Sequence, residues 1–233
     1  MFIKKLFIAA FALITLSATA QTADEIIAKH TEALGGIEKL KLLTTAKKSG
    51  TVATPNGDFP LTESIVHGKG YRVDLEIMGT SNYQFVTPTK GFTFFPIQQM
   101  TEPKELDADK VASSQGQLDL LGSIVDAKTI GNKVEFVANE KWNGEDVYKL
   151  KMIRTGGKEI FYYLSKKTNF IVKTTSKEKG PDGTEMELVN EYSNYKQNKD
   201  GYWFAYSKNT PNGTITYDTI DTNVKIDETI FNN

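Results

Sequence analysis

The sequence predicts a mainly β protein: one curved antiparallel sheet, too long to lie flat, with helical cover. Three observations carry this. From Thr44 onward the hydrophobic period is two, most cleanly in residues 71–77, where Tyr71, Val73, Leu75 and Ile77 alternate with Arg72, Asp74 and Glu76. Five turn dipeptides punctuate the runs: Asn56-Gly57, Asn143-Gly144, Asp182-Gly183, Asp200-Gly201 and Asn212-Gly213. Both residues of each pair tolerate the positive φ of a tight hairpin, and successive hairpins build an antiparallel meander. Third, an amphipathic helix precedes all the strands and can plug the sheet.

Taken in order, residues 1–20 read as an export signal. Lys4 and Lys5 form a basic head, residues 6–16 (LFIAAFALITL) are an apolar run of 11, and Ala18-Thr19-Ala20 offers a cleavage site after Ala20. Crossing a bilayer takes about 20 apolar residues, so this run is a signal core rather than a retained anchor. Thr22 and Glu25 then form a capping box, and Gly35-Gly36 ends the first helix. Ala23, Ile26, Ile27, His30 and Leu34 fall on one stripe of it. A second short helix is predicted over 37–43, followed by about four strands. Residues 106–125 lack period two and read as helix plus loop, starting near Asp107 and broken around Gly116. Six or seven more strands follow. Ten or more antiparallel strands curl or close, and no repeat or linker divides residues 21–233, which read as one domain.

Composition excludes several classes of function. The chain has no Cys, which removes disulfides, thiolate metal sites and Cys nucleophiles. Loss of Lys4 and Lys5 with the signal leaves 26 basic against 29 acidic residues, a net of −3. Nothing in that balance supports nucleic-acid binding or attraction to an anionic membrane. Only Arg72 and Arg154 are arginines, so bidentate phosphate clamps are scarce. His30 and His67 lack metal-ligand spacing, and no nucleophile elbow or P-loop occurs. The sequence therefore reads as non-enzymatic, without metal or cofactor; a hydrolase using scattered carboxylates is the weakest alternative.

What remains is the size of the apolar side chains. The stretch 90–100, KGFTFFPIQQM, places Phe92, Phe94 and Phe95 together and stops at Pro96. Large rings on a curved sheet either interdigitate fully or leave a slot for an apolar ligand, and periodicity does not choose between them.

Several stretches resemble the LolA/LolB-like superfamily, the periplasmic carriers that sort lipoproteins to the outer membrane. They are ADEIIAKHTEALGGIEKLK (23–41), KGFTFFPIQQMTEPKEL (90–106), WNGEDVYKLKM (142–152), IFYYLSKKTNFIVKTTSK (160–177) and NVKIDETIF (223–231). The resemblance implies a half-open β-barrel whose N-terminal helix and helical insertion cover a hydrophobic cavity for acyl chains. It makes Val73, Leu75, Ile77, Tyr83, Phe85, Phe92, Phe94, Leu150 and Met152 the candidate cavity lining, with Phe95 on the other face and Pro96 ending the strand. The implied function is an exported, periplasmic carrier or sensor of a lipid or acyl-chain ligand, lipoprotein among the candidates, acting as a monomer without stable membrane insertion. The alternative is an envelope interaction module with a filled core. Established carriers use a cavity arginine; Arg72, on the polar face of its strand, does not match it.

Overall fold

The structure, a computed structural model, describes residues 22–179 and 183–232. The export signal and the turn position Asp182 lie outside them. Helix α1 (Ala23–Ala33) starts at the expected box: the Thr22 hydroxyl accepts from the Glu25 amide and the Glu25 carboxylate accepts from the Thr22 amide. Its predicted stripe faces inward, with Ile26 and His30 buried. Helix α2 spans Ile37–Leu40, shorter than expected, because the chain turns at Lys41 and Leu42 to enter the sheet.

Six strands come before the insertion: β1 (Thr45–Thr54), β2 (Gly57–Val66), β3 (Gly70–Ile77), β4 (Thr80–Val86), β5 (Gly91–Phe94) and β6 (Lys104–Glu105). Helix α3 (Ala108–Ser114), capped by the Asp107 side chain, and a 3-10 turn at Gln115–Leu118 form the insertion where the period-two pattern lapses. Seven strands follow it: β7 (Lys133–Trp142), β8 (Glu145–Ile153), β9 (Glu159–Ser165), β10 (Ile171–Lys179), β11 (Glu185–Gln197), β12 (Trp203–Thr210) and β13 (Gly213–Thr222). Hairpins form at all three Asn-Gly sites, but at two of them the two-residue loop is Pro55-Asn56 or Pro211-Asn212 and the glycine opens the next strand. At Asn143-Gly144 both residues take positive φ, 48° and 82°.

Among the described residues all thirteen strands join one antiparallel sheet in the order β6-β5-β4-β3-β2-β1-β13-β12-β11-β10-β9-β8-β7. Every neighbour but one is a sequential hairpin or meander pair; the exception joins β1 to β13 in the middle. That topology leaves β6 and β7 at the two edges of a curved sheet that does not close. The insertion, residues 106–132, connects these two edge strands, so the chain itself crosses the open side. At the seam, β1 changes register between Ser49 and Gly50. A side chain on Gly50 would place its Cβ 2.1 Å from the Thr216 carbonyl oxygen, so only glycine fits there.

The insertion is fixed at three places. Leu118 and Leu120 pack with Ile65, Tyr71 and Val86. Leu121 and Val125 pack with Leu34, Leu40, Leu43 and Tyr202. Ile124 sits fully buried with Ile26, Leu150, Met152, Tyr162 and Leu164. It thus fastens α1 and both wings of the sheet to one another. Among the described residues no helix is long and apolar enough to cross a membrane.

Candidate functional site

Between the concave face of the sheet and this roof lies a cavity of about 1090 Å³. Ligand pockets commonly run from about 300 to 1,000 Å³, so this one is large. Cross-strand registry lays out its wall. Lys48, Glu63 and Val73 form one row across β1, β2 and β3; Gly50, Leu61 and Leu75 form the next; Val52 and Phe59 form a third, toward the β1–β2 turn. Ile77 continues the face of Leu75 by alternation, and Ile215 and Tyr217 extend the wall onto β13. Val73, Leu75 and Ile77 are only half-buried although they point inward, because the space before them is open.

One row of this wall is polar. The Tyr71 hydroxyl donates to Glu63 Oε1 at 2.9 Å, and Lys48 Nζ stands 3.6 Å from Glu63 Oε2. Burial raises the Tyr71 and Tyr217 phenols well above the usual range, and the Glu63 carboxylate raises both further. Lys48 Nζ also lies over the Phe204 and Tyr217 rings, 5.8 and 5.4 Å from their centroids. Under the roof, His30 Nδ1 is 2.7 Å from the Asn169 carbonyl oxygen. A carbonyl only accepts, so Nδ1 carries the proton of a neutral ring. Burial pulls the His30 pKa down to about 4, against the opposing pull of Asn169.

The insertion contributes Asp119, whose carboxyl is raised by burial; Oδ1 accepts from the Leu121 amide and Oδ2 is buried without a partner among the described residues. Arg154 reaches the same end of the cavity, its guanidinium lying against Gly116 and 3.5 Å from the Ser123 hydroxyl. Burial pushes the Tyr162 phenol up to about 12, while Ser123 and Arg154 act in the opposite direction. Counting Lys158, Glu178 and Lys208, the wall carries four cations and three carboxylates among the described residues. Lys158 is ion-paired to Glu178. Among the described residues no cluster of three or more His, Cys, Asp and Glu gathers.

The nine candidate lining residues separate into three places. Val73, Leu75 and Ile77 line the cavity. Leu150 and Met152 are fully buried under Ile26 and Ile124, in solid packing on the same concave face. Tyr83, Phe85, Phe92 and Phe94 lie on the convex face instead. Arg72 pairs with Phe85 and Asp74 with Tyr83, so the rings share the face of Arg72, not that of Val73. There the Arg72 guanidinium stacks 3.9 Å from the Tyr83 ring centroid, and Phe231, Ile226 and Ile230 of the C-terminal segment cover Phe85. Arg72 is thus an outer residue, held by Asp74 at 2.7 Å, and Arg154 is the arginine that reaches the cavity.

Sequence reasoning missed Lys48, Glu63 and Arg154. Glu63 was legible in outline: Leu61, Glu63 and Ile65 alternate in one strand, so a carboxylate on the apolar face marks a buried polar site. Arg154 follows a strand end and carries no pattern.

No family model matches the sequence, and no curated protein matches it. Solved structures do match in fold. A LolA superfamily protein from Nitrosomonas europaea superposes with a TM-score of 0.58 at 13% identity, covering 92% of this chain and 99% of that one. A domain from Vibrio parahaemolyticus, described as outer membrane lipoprotein-sorting, gives 0.54 at 15% identity over 90% and 97%. A DUF1329 family protein from Desulfovibrio piger gives 0.51 at 11% identity over 91% and 98%. The half-open barrel of this chain is thus a fold that it shares with these three proteins, a LolA superfamily member among them, at 11% to 15% sequence identity.

Proposed function

We propose that this chain is an exported, non-enzymatic carrier or sensor of a lipid-like, acyl-bearing ligand. Its signal is cleaved after Ala20, and residues 21–233 act as one periplasmic domain, monomeric and without stable membrane insertion. The observation that carries the reading is the roofed cavity: half-buried Val73, Leu75 and Ile77 face about 1090 Å³ of space beneath a segment tied to both sheet edges. Covering each CH₂ of a bound chain contributes about 0.8 kcal/mol, so a dozen carbons suffice without covalent chemistry. The shared fold supports the same reading, and lipoprotein, named in the description of the Vibrio domain, is a candidate cargo. A wholly filled core, the premise of the interaction-module alternative, does not fit a cavity of this size.

The test is mass spectrometry of organic extracts from protein purified natively from the envelope. Co-purifying acyl lipid that disappears when Leu75 is replaced by Trp supports the carrier; a lipid-free native protein that also fails to bind any acyl probe overturns it.

A further inference from the structure

The polar row of the cavity wall defines the headgroup that the ligand presents. Glu63 already receives the Tyr71 hydroxyl at 2.9 Å and is accompanied by Tyr217. Lys48 Nζ, by contrast, stands 3.6 Å from Glu63, beyond hydrogen-bonding distance, and among the described residues no oxygen accepts a hydrogen bond from it. Its side chain is only 19% exposed, so the donors face the cavity rather than bulk water. An ammonium in that position has donors that no protein oxygen engages among the described residues, and an anionic acceptor would give them a charge-assisted hydrogen bond. The wall as a whole carries one more cation than carboxylates, and one added carboxylate brings it to neutrality. Beyond this row the wall turns apolar toward the β1–β2 turn, through Leu61 and Leu75 to Val52 and Phe59. The sequence of surfaces, cation first and hydrocarbon after, is the complement of an amphiphile with one charged end.

We propose that the cavity binds a long-chain fatty acid head-first, its carboxylate on Lys48 Nζ and its chain along Val73, Leu75 and Ile77. This deepens the carrier reading and rests on it. Lys48 then sets specificity: it distinguishes a carboxylate from a neutral headgroup of equal chain length, because only the carboxylate brings an opposite charge to the hydrogen bond.

The experiment measures binding of palmitate and of hexadecanol, matched in chain length, to the full mature protein at neutral pH. Palmitate is expected to bind wild type at least about tenfold tighter than hexadecanol, the ratio a charge-assisted hydrogen bond supplies. Lys48→Met is expected to abolish that preference, lowering palmitate affinity far more than hexadecanol affinity. Because the single variant leaves Glu63 buried without its cation, the double variant Lys48→Met/Glu63→Gln is measured beside it, and the same loss of preference is expected. Equal binding of the two ligands by wild type, or a preference that survives in both variants, overturns the headgroup assignment and leaves the carrier reading standing. Binding of neither ligand overturns the headgroup assignment too, and the carrier reading then rests on the organic extracts of the native protein.

Discussion

Single side chains separate the two faces of this sheet, and the aromatic stretch 90–100 is where they differ most. Phe94 pairs with Tyr83 on the convex face, so Phe94→Trp should leave acyl-probe affinity within error of wild type. Leu75→Trp, on the concave wall, should weaken probe binding markedly. Overpacking a filled core costs typically 1–3 kcal/mol, but open space accepts the larger ring; denaturant melts should therefore show Leu75→Trp close to wild-type stability. Loss of probe binding in Phe94→Trp, with Leu75→Trp unaffected, would refute this assignment of faces. His30 supplies a second residue-scale prediction. Its folded pKa of about 4 lies below the ordinary 6.5, so the unfolded chain takes up a proton first as pH falls. The neutral ring thus favours the fold fully above about pH 6.5, and that contribution is lost progressively down to about pH 4. The window is worth roughly 3 kcal/mol at most. Urea unfolding at pH 7 and pH 4.5 should show His30→Asn losing less stability across that interval than wild type. Much of this scale was legible: the capping box and the His30 stripe follow from spacing alone. That Asn169, far along the chain, holds the ring was not.

At the scale of elements, the misplacement of the convex aromatics has a definite cause. Alternation fixes which residues of one strand share a face, but not which face of the next strand continues it. That phase is set by the turn. Met78-Gly79 is a two-residue turn with both φ positive, 51° and 74°, closing the pair Ile77 and Thr80. Two-residue closure pairs Val73 with Gln84 and leaves Tyr83 and Phe85 opposite Asp74 and Arg72. Methionine is a poor signature for such a turn, so the sequence offered no Asn-Gly there to read. Where Asn-Gly was present the hairpins were legible, as at Asn143-Gly144. The seam between β1 and β13 yields the element-scale prediction. Gly50→Ala sets a Cβ against backbone, the Thr216 carbonyl oxygen and the Tyr217 Cα, which cannot rotate away. A loss of about 2 kcal/mol or more is expected in chemical denaturation; Gly68→Ala, which meets no atom within 4 Å and carries only a positive-φ strain that Gly50 lacks, is expected to cost less. Equal losses in the two variants would show that the seam is not tightly packed.

For the whole molecule, the sequence supported a curled antiparallel sheet with a helical interruption, because ten or more short alternating runs admit little else. The pairing of β1 with β13 was not legible, since no local signal joins strands from opposite ends of a chain. It follows that the insertion, which reads locally as an irregular helix, becomes the roof only through a pairing made elsewhere. Fastened by Leu118, Leu121 and Ile124 to three separate clusters, the roof should respond to occupancy. Hydrogen exchange is expected to slow over residues 118–125 and α1 when palmitate is bound, with the β7–β8 hairpin unchanged. Uniform slowing throughout the sheet would instead indicate global stabilisation without a moving roof. The central seam has a further consequence, in time rather than in space. Each wing of the sheet is a run of local hairpins that can form as its own segment emerges, β1 to β6 first and β7 to β13 later. The seam needs both β1 and β13, so it forms last and encloses nearly the whole chain as its loop. The entropy of closing so long a loop grows only logarithmically with length, but it must be overcome before the pairing returns any energy, which slows folding. Until then β1 is an open edge with Lys47 and Lys48 along it, charges that discourage pairing with another chain. The cavity is therefore absent from every intermediate short of the full sequence, and a chain interrupted before β13 would have wings but nowhere to hold a ligand.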